Sequence, residues 1–141
     1  MDGGRIGIAA QAVGIAQASL NASISYSKER IQFGKPISIN QAIQFKIADM
    51  AMEIEAARLL VRQAAWKKDQ KKSYSHVASM AKVYASEVAM RASTQCVQIH
   101  GGFGYMQESG IERLMRDAKI TQIYEGTSEI QRVVIARSVL K

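Results

Sequence analysis

Residues 41–66 read QAIQFKIADMAMEIEAARLLVRQAAW, and the spacing of apolar side chains within them decides the fold. Ile43, Ile47, Met50, Ile54, Ala57, Val61 and Ala64 follow at alternating steps of four and three. That alternation draws one stripe along one face of an α-helix. The stripe continues to the cluster Lys67-Lys68-Asp69-Gln70-Lys71-Lys72. At its upstream end, Ser38-Ile39-Asn40-Gln41 has the form of a capping box, in which the serine and glutamine side chains satisfy backbone donors reciprocally. A helix starting there reaches about 50 Å at ~1.5 Å per residue. So long a helix with one apolar stripe needs partners, and a helical bundle is the expected solution.

Working outward, Ile6, Ala9, Val13, Ala16, Leu20 and Ile24 recur at the same steps and predict an earlier helix over 5–28. Gln32-Phe33-Gly34-Lys35-Pro36 breaks that pattern. Beyond the lysines, Val77, Ala81, Tyr84, Val88, Ala92 and Gln95 predict a third helix over 74–99, which Gly101-Gly102-Phe103-Gly104 turns out of. A short helix is expected over 111–118. Ser128-Glu129-Ile130-Gln131 is a second capping signature, opening a last helix to about Leu140. The reading is all-α, a four-helix bundle with an additional short helix, in a single domain over 1–141.

Composition agrees. Pro36 is the one proline among 141 residues, and Ala, Gln, Met, Lys, Glu and Arg dominate over β-formers. Cys96 stands alone, so no internal disulfide forms, and without a Cys or His pair at ligand spacing no metal site is expected. A reducing compartment suits such a chain. Met50, Met52, Met80 and Met90 fit helix packing. Residues 1–5, MDGGR, lack the two regions of a signal peptide, and no apolar run approaches the roughly 20 residues of a membrane span. The net charge of +7 steers anions. The lysine cluster, however, lacks interleaved aromatics and falls where a helix ends, where cations meet the negative end of the dipole. Nucleic-acid binding is not expected.

Glu125 stands out by position. It lies on a tight connection just before a helix start, beside Gly126, where backbone can approach a ligand closely. The plain alternative is a carboxylate that favours the helix N-terminus electrostatically.

Four segments then go beyond pattern: Arg30-x-Gln32-Phe33-Gly34-Lys35-Pro36; Gln98-Ile99-His100-Gly101-Gly102-x-Gly104-Tyr105; Arg116-Asp117-Ala118; and Ile123-Tyr124-Glu125-Gly126-Thr127-Ser128-Glu129-Ile130-Gln131-Arg132. In this order they resemble the motifs of the acyl-CoA dehydrogenase family, and the likeness runs from Asp2-Gly3-Gly4-Arg5 to the last helix. The resemblance implies the family's C-terminal helical domain without its N-terminal helical and middle β-domains, so that Met1 is expected to mark an artificial or processed start. It implies an FAD-dependent oxidation of acyl-CoA to trans-2-enoyl-CoA, with Glu125 removing the α-proton while a β-hydride passes to flavin. The thioester carbonyl is then polarised by a flavin hydroxyl and by the backbone N–H of Glu125. Some members are similar except that the base stands on the first helix, just before its arginine. Here that place holds Gly4, which matches the short- and medium-chain arrangement.

The resemblance also implies flavin contacts. Arg30 meets the pyrophosphate, with Phe33 and Gln41 nearby, while Gln98, Ile99, His100, Gly101 and Gly102 serve the adenine side of a neighbouring subunit's flavin. Thr127, Ser128 and Glu129 contact flavin after the base, and Thr127 or Ser128 can also cap the last helix. Without the resemblance, Arg30 reads as a helix-end cation, and His100 as part of a turn. Asp2, Gly3, Gly4, Arg5 and Gly126 are implied to meet the acyl-CoA, Arg5 near its CoA portion. A homotetramer built as a dimer of dimers, with electron-transfer flavoprotein as acceptor and butyryl-CoA as a fitting substrate, completes the expectation. The compartment is the cytoplasm for a bacterium or, alternatively, the mitochondrial matrix. An oxidase handing electrons to oxygen and a non-catalytic oligomerisation module are the competing readings.

Overall fold

The computed structural model describes residues 2–141; Met1, and with it the expectation about the start of the chain, lies outside the described residues. The chain runs through α1 (Asp2–Glu29), the hairpin strands β1 (Ile31–Gln32) and β2 (Lys35–Pro36), α2 (Gln41–Asp69) and α3 (Ser75–His100). After these come the single turn α4 (Gly102–Tyr105), α5 (Ile111–Thr121) and α6 (Ser128–Val139). Three long helices, a shorter last one and an additional short helix make the expected all-α bundle.

The stripe on α2 is the buried one: Met50, Ile54, Ala57 and Ala64 are in the core, with Ile43, Ile47 and Val61 packed against it. α3 is central and touches α1, α2, α5 and α6. α1 and α3 bury mostly small side chains, Ala9, Ala12, Ala16, Ser19 and Ser23 on one and Ala78, Ala81, Ala85, Ala89 and Ala92 on the other. Small contact residues let helix axes approach closely. The buried serines return their hydroxyls to their own helix, Ser19 to the Ile15 carbonyl at 2.9 Å and Ser23 to that of Ser19 at 2.8 Å, which removes the cost of burying them.

The capping signature at α2 resolves differently from expectation, whereas at α6 the N-cap is Thr127, one of the two expected residues. Ser38 sits in a 3-10 turn, Ile37–Ile39, and the N-cap of α2 is Asn40, with no side-chain cap bond. Gln44, rather than Gln41, reaches back, its Nε2 donating to the Ser38 carbonyl at 3.1 Å. The turn consumes the backbone that the box needs, so α2 is about 44 Å long for its 29 residues rather than about 50 Å. At α6 the cap is Thr127, whose Oγ1 accepts from the Ile130 N–H at a long 3.4 Å, and Ser128 is already helical.

The remaining joints are explained by backbone chemistry. The hairpin turns on Phe33 and Gly34, both at positive φ (51° and 76°), the pattern that suits a two-residue loop between twisted strands. α2 ends with Lys71 at φ 54° and the Lys72 N–H on the Lys67 carbonyl at 2.9 Å, a left-handed helix stop. The lysine cluster is therefore a helix end, and the Lys72 ammonium lies 4.4 Å from the Trp66 ring centroid. Among the described residues no helix is long and apolar enough to cross a membrane.

Candidate active site

α1 sets the scale, since its 28 residues extend about 42 Å and hold the candidate residues apart in two groups. At its first turn lie Asp2, Gly3, Gly4 and Arg5, and against them the connection 122–127. A Cβ built on Gly4 would stand 2.6 Å from Oε2 of Glu125. The glutamate that follows α5 and a glycine in the first turn of α1, 121 residues apart in sequence, thus lie against each other. Only a residue without a side chain leaves the carboxylate its present position.

Glu125 has φ 54° and Gly126 φ 90°. The left-handed region costs a residue with a Cβ roughly 1–2 kcal/mol, so the surroundings must hold Glu125 in it. They do so from inside the bundle. Lys82 of α3, wholly buried, donates from Nζ to the Gly126 carbonyl at 2.7 Å. Gln131 of α6, also wholly buried, donates from Nε2 to the carbonyls of Glu125 and Gly126, each at 3.1 Å. The Ser128 N–H closes the connection onto the Gln122 carbonyl at 3.0 Å, and Tyr124 Oη donates to Gln11 of α1. Glu125 itself is exposed, and its backbone N–H donates to no carbonyl among the described residues.

Burial pushes the Lys82 ammonium below the usual lysine range; Glu129 and Glu125 pull it back up, while Arg5 adds to the depression. Arg5 is buried, with Nη1 2.7 Å from Asp2 and 3.3 Å from the Ser79 hydroxyl. It ties the start of α1 to α3, and its guanidinium faces inward. Of the residues after Glu125, Thr127 is half-buried and Ser128 buried, its Oγ without a partner among the described residues. The exposed Glu129 carboxyl is held below its ordinary range by its own backbone N–H and by the Thr127 hydroxyl.

The second group lies where α1 ends. Arg30 is exposed and forms no ion pair among the described residues. Phe33 at the hairpin tip is 100% exposed, and Gln41 and Gln98 also face out. His100 turns inward: its ring stacks on Tyr26 with centroids 4.2 Å apart, and Nδ1 meets the Cys96 carbonyl at 2.8 Å. Ile99 is likewise buried, so for these two only backbone is offered outward. Gly101 has φ 62°, which explains its glycine, but Gly102 has neither a positive φ nor any atom within 4 Å of a built Cβ. Among the described residues no neighbour beyond its own stretch of backbone requires glycine at 102; an external group lying against the backbone would.

Comparison with known proteins decides the family. The sequence model of the acyl-CoA dehydrogenase C-terminal domain matches residues 1–140. The chain belongs to the acyl-CoA dehydrogenase family. It is 64% identical over all 141 residues to a probable acyl-CoA dehydrogenase of Bacillus subtilis, covering 37% of that protein. Its fold superposes on the butyryl-CoA dehydrogenase structure from Megasphaera elsdenii with TM-score 0.98 and 57% identity, over 99% of this chain and 37% of that one. A chain in a structure described as the electron transferring flavoprotein of Acidaminococcus fermentans matches at TM-score 0.98 and 58% identity, again over 99% and 37%. The chain therefore spans a little over a third of the length of these acyl-CoA dehydrogenase relatives.

Two residues of the site escaped the sequence reading. Lys82 is a lone charge amid Ala78, Ala81, Ala85, Ser86 and Ala89, and a lysine on a small-residue face is the signal that could have marked it. Gln131 was assigned to a capping box, but its amide points back to the carbonyls before the helix rather than to an N–H at the cap.

Proposed function

We propose that this chain is the C-terminal helical domain of an FAD-dependent acyl-CoA dehydrogenase. In that protein Glu125 removes the α-proton of a short-chain acyl-CoA on the way to the trans-2-enoyl-CoA. The observation that carries this reading is the Glu125 carboxylate, exposed on a left-handed turn and seated against Gly4. Carboxylates placed this way serve proton transfer when a substrate α-carbon is brought within hydrogen-bond reach. The free Glu125 N–H supplies a donor for the thioester oxygen as enolate charge develops. The missing side chain of Gly4 leaves the space that the Glu125 carboxylate fills, and the acyl-CoA would meet this first turn of α1 beside that carboxylate.

The second group of residues fits a flavin dinucleotide. A solvent-facing Arg30 suits a pyrophosphate, an uncovered Phe33 suits a flat ring, and the open backbone at Gly102 suits close approach. Arg30, Phe33, Gln41, Gln98 and the backbone of 99–102 would hold one flavin, and Thr127, Ser128 and Glu129 another. When bound, FAD supplies the hydride acceptor for the β-carbon.

Gly4 and Arg30 are about 39 Å apart along α1, so the two groups serve different flavins, and each site is completed by another copy of the chain. A homotetramer, a dimer of dimers, satisfies that requirement. The outer face of α2 supports assembly as well. Phe45, Met52, Leu59 and Trp66 recur every seventh residue and are 52–66% exposed, a column that solvent disfavours. Electron-transfer flavoprotein is the proposed acceptor, and the compartment is cytoplasm or mitochondrial matrix according to the host.

The test is anaerobic flavin spectroscopy of the complete parent with butyryl-CoA, wild type beside Glu125→Gln. Wild type is expected to bleach, with the variant slower by on the order of 10³-fold or more, at the upper end of what general base catalysis contributes. Equal bleaching would move the base elsewhere, and no bleaching of bound flavin in either would reject butyryl-CoA.

A further inference from the structure

The mechanism above uses the Glu125 carboxylate but says nothing of why its backbone stays in a conformation that a glutamate disfavours. A glycine would rest there without strain, so the turn must be held by other groups if a side chain with chemistry is to occupy it. We infer that Lys82 is a positioning residue for Glu125. With Gln131, its buried ammonium pins the peptide carbonyls on the C-terminal side of the glutamate and so keeps the carboxylate over Gly4. The inference rests on the reading of Glu125 as the base.

Three observations converge on it. The Lys82 Nζ bond to the Gly126 carbonyl is charge-assisted and, at 2.7 Å, the shortest of the three side-chain bonds that the connection's carbonyls accept from α3 and α6. Gly126 cannot be widened, since a Cβ there would lie 2.6 Å from Nε2 of Gln131. The clamp and the turn are therefore fitted to each other on both sides. Finally, a lysine with no exposed surface is costly to bury and does not improve packing over an apolar side chain of similar length. Burial accordingly pushes its ammonium below the usual lysine range. Among the described residues the Arg5 Nε, Ser128 Oγ and Gln131 Oε1 atoms are buried without partners, and all belong to residues around this turn. Polar groups have been concentrated behind Glu125 at the expense of full satisfaction.

A residue that merely fills the bundle and one that aims the base differ in what they disturb. In the complete flavin-containing parent, Lys82→Met keeps length and apolar contact but removes the donor. Flavin reduction by butyryl-CoA is expected to slow about 100-fold, the scale of a misplacement near 1 Å, with KM within about twofold, the bound-flavin spectrum unchanged and the unfolding midpoint near that of wild type. Gln131→Leu, which removes the other donor, is expected to act in the same direction by a smaller factor and serves if Lys82→Met does not fold.

The relocated base gives a second readout. In Gly4→Glu/Glu125→Gly, where the carboxylate stands on α1, adding Lys82→Met is expected to cause no further loss of the activity that the double variant retains. Flavin reduction within about threefold of wild type in Lys82→Met, or loss of rate only in step with loss of flavin and of folded protein, would overturn the positioning role. Glu125→Gln run alongside separates the two claims. If it retains turnover the base assignment fails, whereas an inactive Glu125→Gln beside a fully active Lys82→Met sinks only the clamp.

Discussion

The two ends of α1 are built on different plans. At the Glu125 end the functional turn is held from behind by Lys82, Gln131 and the Ser128 N–H, and the first turn of α1 is tied to α3 through Arg5. At the Arg30 end the chain fixes the backbone, through the hairpin and the Tyr26–His100 stack, but leaves Arg30, Phe33, Gln41 and Gln98 facing outward. A base has to be placed to within a fraction of an ångström and therefore brings its scaffold with it. Groups that only hold a cofactor can wait for that cofactor, and for another copy of the chain, to order them. On the proposed function, the domain would bring the base with its scaffold at one end and part of a cofactor site at the other.

The comparison breaks most visibly at Gly4. Its replacement by alanine adds one methyl group 2.6 Å from the Glu125 Oε2 atom, the far end of a flexible side chain that can swing away. The fold should tolerate the change, since alanine within a helix is favoured over glycine by roughly 0.5–1 kcal/mol. The expected outcome for Gly4→Ala in the complete enzyme is an unchanged or slightly raised unfolding midpoint with flavin reduction slowed by about 10- to 100-fold. Wild-type rates in stopped-flow mixing with butyryl-CoA would mean that the carboxylate works from a different position.

Arg30→Ala probes the other end and should do the opposite. Loss of a charge-assisted contact worth about 1.5–3 kcal/mol weakens flavin retention by on the order of 10- to 100-fold. The rate per bound flavin should stay within about twofold, because Arg30 lies about 39 Å from the Glu125 of its own chain along α1. Equilibrium dialysis of FAD, followed by rates at saturating cofactor, separates the two effects. A slower chemical step with flavin fully bound would undo the division between the two ends.

Much of this was legible in residue order. The four-three stripe on α2 marked the core side correctly, and the Arg30–Pro36 and Ile123–Arg132 segments carried the resemblance to the family that the comparison found. The box at Ser38 fails because the 3-10 turn Ile37–Ile39 takes up the backbone it needs, and Gln131 shows a second reason: a side chain that can satisfy an N–H can equally turn to a carbonyl, and tertiary packing chooses. Gln131 was drawn toward the Glu125 and Gly126 carbonyls because the connection before α6 is closed over it. The inward turn of Arg5 and the clamp by Lys82 were not legible, since both depend on which face of α3 opposes the first turn of α1, and a stripe says which face is buried but not against what. Gly4 could be matched to a vacated base position by resemblance. Its contact with Glu125 joins residues 121 positions apart, which periodicity cannot see.

The smallest effect tests whether left-handed strain is itself a mark of function. Lys71 and Glu125 share the same φ, 54°. Lys71 closes the C-terminus of α2, where glycine is the usual occupant and no chemistry is assigned, so Lys71→Gly should relieve strain at no cost to the reaction. Against a left-handed penalty of about 1–2 kcal/mol stand the greater chain entropy of glycine and the lost cation at a helix end, at about 0.3–1 kcal/mol. Because these contributions nearly cancel, a change within about 1 kcal/mol of zero in denaturant unfolding, with unaltered flavin reduction, is the expected result. Glu125→Gly relieves the same strain and should likewise not destabilise the fold, yet abolish reduction of flavin. If instead Lys71→Gly slowed the reaction, strain at a helix end far in sequence from the base would be coupled to it, and the self-contained character of the Glu125 end would have to be given up.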